Sequence, residues 1–389
     1  MTVSALSEEF LIPLLQKFVR YPSEQTDLQE DDPKVQSFVK ECVASELRKL
    51  DIPEPSFDEK GNLFVEVGNV SSDETLMFVT YAMTHPAASM TNPFAGEIVE
   101  TPEGPAIRGR GVAEQKTSLV AALAALGEAA KYDLDGRLIF ATLCAGETGR
   151  HDALESVLKQ VSSQPDKAII CIGTDGKVAF RNKGRIDINV LVEGKSTHSS
   201  MPWNGIDAID GARECLNALS EIKLPTPAHE YLGPPTLTAT GIRSGPDATH
   251  TLQSEVAITF DRRLLPGENV DAAFSHICEN IPAAGPWSVK CERGPIMYPN
   301  EIKIDGPLMG SLNAAFRRAG YEEASCVDCD FALDAGYFGH LGSEAVMLGA
   351  GEINQFHSDN ECVLTEDLVS MSKIYFYLIQ EILNSEKAT

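Results

Sequence analysis

The stretch R-G-R-G-V-A-E-Q-K-T, residues 108–117, decides how the rest of the sequence is interpreted. Gly109 and Gly111 permit a tight backbone turn. The Ala- and Leu-rich run Leu119–Ala130 predicts that a helix follows the turn. Glu114 then lies near the N-terminus of that helix, where the helix dipole stabilises a carboxylate and the side chain could hold a metal ion. A loop-to-helix junction without a ligand is the alternative that this stretch alone leaves open.

Apolar segments on the two sides of this stretch alternate between strand and helix patterns. The runs Leu76–Thr84, Leu138–Leu143 and Lys167–Ile172 are typical of strands that are buried on both faces. A helical pattern covers Ala153–Leu158, between the second and the third run. Strands that alternate with helices indicate an α/β fold with a largely parallel sheet. In such sheets, ligands bind at the carboxyl ends of the strands.

A second pattern begins near Arg185. It follows the order strand, helix, strand, strand, helix, strand, which is the ferredoxin-like arrangement, in the segments Ile186–Val192, Ile206–Leu219, Thr236–Thr240, Val256–Asp261, Val270–Asn280 and Trp287–Cys291. We therefore predict an α/β domain in two parts, residues 1–183 and 294–389, which is split by an inserted ferredoxin-like domain at residues 184–293.

Charge and composition exclude several classes of partner. The net charge of −25 and the pI near 4.7 argue against nucleic acid and anionic membranes as partners. The sequence shows neither an apolar run of membrane-spanning length nor the basic start of a signal peptide, so we expect a cytoplasmic protein. The nine cysteines follow no disulfide framework and are expected to be reduced, with Cys144 and Cys171 in the core.

Three further stretches complete a recognisable set. These are Gly194-Lys-Ser-Thr-His198-Ser-Ser-Met-Pro202, Gly349-Ala-Gly351 and His357-Ser-Asp-Asn-Glu361. Together with residues 108–117, and in this order, they resemble the M20 family of co-catalytic metallopeptidases and deacylases. That family includes succinyl-diaminopimelate desuccinylases, acetylornithine deacetylases and carboxypeptidase G. The resemblance covers nearly the whole chain, and it implies a split metal-binding α/β domain and a homodimer that forms through the inserted domain.

The family's site, as the resemblance implies it, holds two metal ions. A carboxylate bridges the ions, each ion has a histidine ligand, and a separate glutamate acts as the general base on a metal-bound water. This sequence departs from that pattern at three positions. Tyr81 stands at the first histidine ligand, Met83 at the aspartate that orients it, and Gly146 at the general base. His85 could replace the missing histidine or be a loop residue without a metal role.

The remaining positions match the family's ligands and predict a reduced metal site. The resemblance places Glu114 at the bridging aspartate, with Glu147, Asp175 and His357 as further ligands. Three carboxylates and one imidazole would suit one divalent ion per subunit, Zn or Mn, although these residues could also be solvated side chains that hold no ion. With Gly146 at the base position, we expect Glu147, His198, Tyr81 or His85 to carry the proton, with His151 a weaker candidate.

The sequence matches the family more closely at the positions that bind substrate than at those that bind metal. His198 matches a histidine that in the family reaches the partner subunit's site and stabilises the oxyanion, and His250 stands where many relatives have asparagine. Arg263 matches an arginine that binds the substrate carboxylate, a task suited to its planar fork. An ordinary salt bridge, for example with Glu268, is the alternative for Arg263. Gly351 completes the predicted substrate-binding set.

The resemblance therefore implies an M20-like hydrolase. We expect it to cleave the amide C–N bond of a small, carboxylate-bearing N-acyl amino acid or a related compound, with a remodelled and reduced metal site. The loss of the base and of one ligand also allows two other interpretations. One is metal-poor or metal-free lyase or isomerase chemistry on the same scaffold, and the other is a catalytically inactive binding protein.

Overall fold

The computed structural model describes residues 4–146, 148–282 and 284–384. The strands are β1 (Ser56–Phe57), β2 (Leu63–Gly68), β3 (Thr75–Tyr81), β4 (Glu97–Thr101), β5 (Gly104–Arg108), β6 (Arg137–Leu143), β7 (Lys167–Cys171), β8 (Val178–Asn182), β9 (Gly184–Glu193), β10 (Thr236–Gly245), β11 (Glu255–Leu264), β12 (Ser288–Met297), β13 (Asn300–Glu301), β14 (Cys326–Cys329), β15 (Glu344–Leu348) and β16 (Cys362–Leu364). The α-helices are α1 (Glu8–Val19), α2 (Pro33–Ser37), α3 (Ala44–Leu47), α4 (Thr117–Ala129), α5 (Asp152–Leu158), α6 (Ala208–Ser220), α7 (Val270–Glu279), α8 (Pro307–Arg318), α9 (Ala335–His340) and α10 (Thr365–Leu383). Single π-helical segments cover Phe38–Val43 and Val112–Lys116.

The chain divides into two units. The first comprises Met1–Arg181, Glu301–Asp328 and Tyr337–Thr389, and the second comprises Asn182–Asn300 and Cys329–Gly336. The fold confirms the predicted class, an α/β domain split by a ferredoxin-like insertion. Three short segments lie outside the predicted boundaries of the insertion, because residues 182–183, 294–300 and 329–336 group with the inserted unit.

The central sheet of the first unit is parallel where it is most deeply buried. Strands β6, β3, β7 and β15 lie side by side and parallel, and antiparallel β2 extends this sheet beyond β6. Every residue of β3 and β6 is buried, as expected for strands with both faces covered. Helices α1, α4 and α10 bury their apolar side chains in the same core cluster. The parallel strands place the carboxyl ends of β3 and β6 at one edge of the sheet, together with the residues that follow them.

The second unit is an antiparallel sheet in the order β10-β11-β9-β12, with α6 and α7 supplying the helices. Alternate residues of β9 and β11 are buried in its core, so the predicted half-buried strand pattern is confirmed. Cys278 on α7 and Cys291 on β12 form a disulfide, with their Cα atoms 5.9 Å apart. The expectation that all nine cysteines are reduced is therefore wrong for this pair. Both residues belong to elements of one small core, which brings them together.

Cys144 and Cys171 are fully buried, as predicted. Burial raises the pKa of the Cys144 thiol to about 12. Neither thiol is therefore suited to act as a nucleophile. Among the described residues, the structure contains no helix with the length and apolar character needed to cross a bilayer.

Asp367 lies in the first turn of α10 and provides a test of the packing there. Burial, with the nearby charges of Glu366 and Glu352, raises the pKa of Asp367 to about 6. The folded state therefore binds more protons than the unfolded state between about pH 4 and about pH 6, and stability is lost as the pH rises through that window.

We expect Asp367→Asn to raise the free energy of unfolding at pH 7 by about 1–3 kcal/mol, because asparagine carries no charge to bury. The gain should shrink towards zero as the pH falls to about 4. Urea denaturation of both proteins across this range is the measurement. Asp133→Asn, at an exposed position, is the control and should change little. A gain that does not depend on pH would contradict the assignment.

Candidate active site

The buried carboxylate of Glu361 organises the site in the first unit. Its Oε2 accepts hydrogen bonds from Arg110 Nη1 and from the amide of Gly111, each at 2.9 Å. Its Oε1 accepts from the amides of Ala113 at 2.9 Å and Glu114 at 3.4 Å. Burial raises the pKa of Glu361, while the Gly111 amide, Arg110 and the Ala113 amide oppose that shift. One side chain thus fixes the turn at residues 109–114 to the segment that follows His357.

The turn itself has little room for side chains. Gly111 has a φ of +83°, in the left-handed region that favours glycine, and a Cβ there would lie 2.4 Å from Thr84 Cγ2. A Cβ on Gly109 would lie 2.4 Å from Val19 Cγ1. The prediction of a tight G-R-G turn before a helix is confirmed, with a π-helical segment at Val112–Lys116 leading into α4.

Lys116 is fully buried two residues after Glu114. Its Nζ donates to the carbonyls of Phe18 at 3.0 Å and Tyr21 at 2.9 Å, and it lies 5.0 Å from the centre of the Phe38 ring. Burial lowers the pKa of Lys116 to about 7. Backbone carbonyls therefore bind Lys116, whereas Arg110 pairs with the carboxylate of Glu361.

Glu114 and His357 meet directly. His357 Nε2 lies 3.3 Å from Glu114 Oε2, with the Glu114 side chain 11% exposed and that of His357 44% exposed. The His85 ring lies flat on the His357 ring, with the centroids 3.9 Å apart and the planes 15° apart. The sequence analysis left His85 either as a replacement ligand or as a loop residue. The structure places it against a predicted ligand.

Asp175, a third predicted ligand, has local partners. Its Oδ1 accepts from the amide of Ile353 at 2.7 Å, and its Oδ2 lies 3.6 Å from Lys177 Nζ. Its amide donates to Gly351 O at 2.9 Å, so the Asp175 turn and the Gly349–Gly351 segment pack closely together. Glu147, predicted both as a ligand and as a catalytic residue, lies outside the described residues.

The three positions that depart from the family pattern are buried or closely packed. Tyr81 ends β3 with 2% exposure, and Met83 is fully buried in the core cluster. A Cβ at Gly146 would lie 2.5 Å from the carbonyl oxygen of Met83. His151, considered as a substitute base, is buried with its ring centroid 5.0 Å from that of Tyr337.

The positions of these side chains limit which metal site the described residues can form. Across residues 4–146, 148–282 and 284–384, no three His, Cys, Asp or Glu side chains form a group that could hold an ion. The described residues therefore do not fit the pair of ions that the resemblance implies. Glu114 and His357 place one oxygen and one nitrogen donor side by side, a combination suited to part of a one-ion site.

In the second unit, His198 and His250 come from neighbouring segments. The amide of Ser199 donates to His250 O at 2.9 Å, and His198 forms an antiparallel bridge with Thr251. His198 Nδ1 accepts the Ser200 amide at 3.2 Å, and Ser200 Oγ lies 2.8 Å from it. These backbone contacts bring together two of the residues predicted for substrate binding. Both histidines are exposed.

Arg263 has its guanidinium fork engaged by a carboxylate of its own strand. Its Nε and Nη2 donate to the two Asp261 oxygens at 2.8 and 3.0 Å. The salt-bridge alternative for Arg263 is therefore confirmed with Asp261 as the partner, whereas Glu268, the example named for it, pairs with Arg262. The side chain of Arg263 remains 28% exposed. The register pairs Arg263 with Arg185 and Asp261 with Asp187, which explains why two Arg–Asp pairs lie side by side.

Gly351 packs too tightly against the 112–116 segment to carry a side chain. A Cβ there would lie 1.8 Å from Ala113 O. The sequence analysis missed Glu361 as the organising residue, although a buried arginine in a G-R-G turn requires an anionic partner. It also missed the carbonyl partners of Lys116, for which no sequence signal exists.

Comparisons with known proteins agree with this architecture. The M20 dimer model, described as a peptidase dimerisation domain, matches residues 180–288. The M20 family metallo-carboxypeptidase of Sulfolobus solfataricus superposes with a TM-score of 0.75 at 15% identity, over 96% of this chain and 98% of that one. The acetylornithine deacetylase of Aliivibrio salmonicida is 27% identical over 267 residues, which is 65% of this chain and 67% of that protein. In its inserted domain, its sequence and its fold, the chain is similar to M20 metallopeptidases and deacetylases.

The chain is similar to these proteins over different shares of their length. A peptidase from Bacillus subtilis, described as a dinuclear metal binding peptidase from the M20 family, superposes with a TM-score of 0.67 at 15% identity, over 97% of this chain and 98% of that one. In sequence, the chain spans between 53% and 74% of the length of six curated relatives, the acetylornithine deacetylase included.

Removal of the Glu361 charge tests the organisation of this site. We expect Glu361→Gln to lower the free energy of unfolding by about 3 kcal/mol, because it leaves Arg110 buried without a counter-charge. Urea denaturation at pH 7 is the measurement. Glu100→Gln, at an exposed position on β4, is the matched control and should change stability by less than about 0.5 kcal/mol. Equal effects of the two substitutions would show that the pair does not stabilise the fold.

Proposed function

We propose that this M20 protein hydrolyses the amide C–N bond of a small, carboxylate-bearing N-acyl amino acid or a related compound. The direct contact of Glu114 with His357 is the observation that carries the proposal. It joins the start of α4 to a loop near the C-terminus at the edge of the sheet where α/β enzymes bind ligands. The relatives point the same way, since one is named a deacetylase and another a carboxypeptidase.

The metal site in this proposal is remodelled and holds one divalent ion per subunit, Zn or Mn. Glu114 and His357 would hold it, with Glu147 and Asp175 as the remaining ligands. When bound, such an ion polarises the substrate carbonyl and lowers the pKa of a coordinated water. Asp175 would have to turn from Ile353 and Lys177 to take part, which makes it the weakest of the four ligands.

Metal content tests this site without any assay of activity. We expect elemental mass spectrometry of the unchelated protein to find about one Zn or Mn per subunit, and His357→Ala to lose most of it, because the imidazole is the only predicted nitrogen ligand. His276→Ala, on α7 of the inserted domain, is the control and should keep the metal. A content of two ions per subunit would show that the site is the ordinary two-metal site of the family. A protein that holds no metal even after Zn or Mn is added would contradict the metal site proposed here.

The chain's own residues must move the proton, since glycine stands at the position of the family base. Tyr81 is buried at the carboxyl end of β3, where a phenol can donate or accept a proton at its Oη. Glu147 and His198 are the other groups proposed for this role. The position of Tyr81 also supports the alternative of lyase or isomerase chemistry on this scaffold.

We expect Tyr81→Phe to lower kcat about a hundredfold or more on the best substrate from a screen of N-acyl amino acids and dipeptides, with folding unchanged. The screen should follow both hydrolysis and loss of substrate without hydrolysis, so that a lyase or isomerase is detected. Tyr132→Phe, which removes a hydroxyl at an exposed position, is the control and should keep the activity. Ligand binding that survives Tyr81→Phe, with no turnover by either protein, would identify a binding protein.

The substrate-binding part of the proposal rests on the inserted domain. His198, His250 and Arg263 are the substrate-binding residues proposed for the inserted domain, and Gly351 is the one proposed for the first unit. Arg263 could bind a substrate carboxylate through the part of its side chain that is exposed, while Asp261 holds the fork in place. We also propose a homodimer through the inserted domain, for which the exposed edge strand β10 and the matched dimerisation domain are the support. A cytoplasmic location stays a prediction.

A further inference from the structure

We propose that His85 is a positioning residue, whose imidazole packs flat against His357 and thereby holds the His357 ring towards Glu114. The two rings are nearly parallel, 3.9 Å apart at their centroids, and His357 Nε2 lies 3.3 Å from Glu114 Oε2. The consequences for activity rest on the proposed function. The placement of the ring does not, and it can be tested separately.

The loops that carry the two histidines are tied to each other at two points. Arg110 joins them, since Nη1 donates to Glu361 Oε2 at 2.9 Å and Nη2 donates to Ala87 O at 3.3 Å. Ser89 Oγ donates to Asp359 Oδ2 at 2.6 Å. Both cross-links follow the stacked histidines closely in the two segments, so the stack is part of a fixed arrangement.

The segment before His85 is anchored independently of His357. The Thr84 amide donates to Ser23 O at 2.9 Å, and Thr84 O accepts from the Gln25 amide at 2.8 Å. The Ala87 amide donates to Glu24 Oε1 at 2.6 Å. His85 Nδ1 lies 3.0 Å from Pro86 O, which holds the ring when that nitrogen carries the proton. These contacts make His85 the fixed member of the pair.

His357 is the more exposed member of the pair. Its backbone lies at a φ of +60°, a conformation that non-glycine residues rarely adopt, and 44% of its side chain is exposed. A half-exposed imidazole on such a loop would sample several rotamers. An aromatic ring packed on one face removes most of them and leaves the edge with Nε2 directed at Glu114.

The geometry favours stacking over direct chemistry by His85. Flat stacking brings ring faces together, so neither ring points a nitrogen at the other. Among the described residues, His85, His357 and Glu114 do not form a group that could hold a metal ion. An aromatic ring without nitrogen at residue 85 should therefore also hold the His357 ring towards Glu114.

The test uses the full chain with His85→Phe, His85→Ala and His85→Gln. Phenylalanine keeps a ring and loses the nitrogens, whereas glutamine keeps polarity and loses the ring. The carbon-bound ring protons of His357 are followed by NMR of histidine-labelled protein, without added metal or with zinc, and are assigned by comparison with His357→Gln. We expect the His357 protons to move downfield in the Ala and Gln variants, because they leave the shielding face of a ring, and to stay upfield in His85→Phe.

Activity gives a second readout. We expect kcat/KM to fall about two- to tenfold in the Ala and Gln variants and to recover in His85→Phe, in line with the usual strength of an aromatic pair. His276→Ala is the control and should leave both readouts unchanged.

Two results would overturn the proposal. The first is a His357 spectrum that does not respond to His85→Ala. The second is a His85→Phe variant that keeps the shielded spectrum but is as inactive as His85→Ala, since the nitrogen would then be the required group. Should no substrate be turned over, the spectra still decide where the ring lies, and only the proposed function fails.

Discussion

A buried carboxylate must find hydrogen-bond donors inside the protein, and Glu361 finds them at the start of α4. Its two oxygens accept hydrogen bonds from the Arg110 guanidinium and from the amides of residues 111, 113 and 114. Without Glu361, these amides would be unsatisfied donors at a helix N-terminus. The positions of Glu114 and His357 follow from this interaction. Glu114 is held through its own amide, and His357 lies four residues before the carboxylate that docks the loop.

The same small region buries two cations by different means. Arg110 is matched by a full negative charge, whereas Lys116 has only two carbonyl dipoles and an aromatic face. Burial therefore lowers the pKa of Lys116 to about 7, because carbonyl dipoles compensate a lost hydration shell less well than a carboxylate does. The result is a rigid helix start whose polar groups are committed to the scaffold. Glu114 and His357 keep partly exposed side chains beside it.

The elements that sequence could predict are those set by periodicity. The buried strands, the ferredoxin-like order and the glycine turn all depend on local patterns, and each appears in the structure. Only the resemblance linked Glu114 with His357, as ligands of one predicted ion, because no local rule joins residues so far apart. The stacking of His85 on His357 depends on two loop conformations and their cross-links, which no periodic pattern encodes.

Side-chain pairing was the least predictable part. Arg263 was expected to bind a substrate or Glu268, but on a strand the side chains of residues 261 and 263 lie on the same face, which makes Asp261 the nearer carboxylate. Glu268 then pairs with the alternate arginine, Arg262. The Cys278–Cys291 disulfide was missed for a similar reason, because a spacing that spans a helix end and a strand has no signature in a chain with nine scattered cysteines.

The absence of a side chain at residue 146 is built into the backbone around it. A Cβ there would lie 2.5 Å from Met83 O, closer than such atoms approach in folded proteins, and Met83 itself is packed into the core. Replacement of Gly146 by glutamate would therefore displace the end of β3 as well as add a carboxylate. The residues that the resemblance aligns with the family's orienting aspartate and its general base thus touch each other. The two departures therefore lie next to each other in the fold, and each limits which side chain the other position can carry.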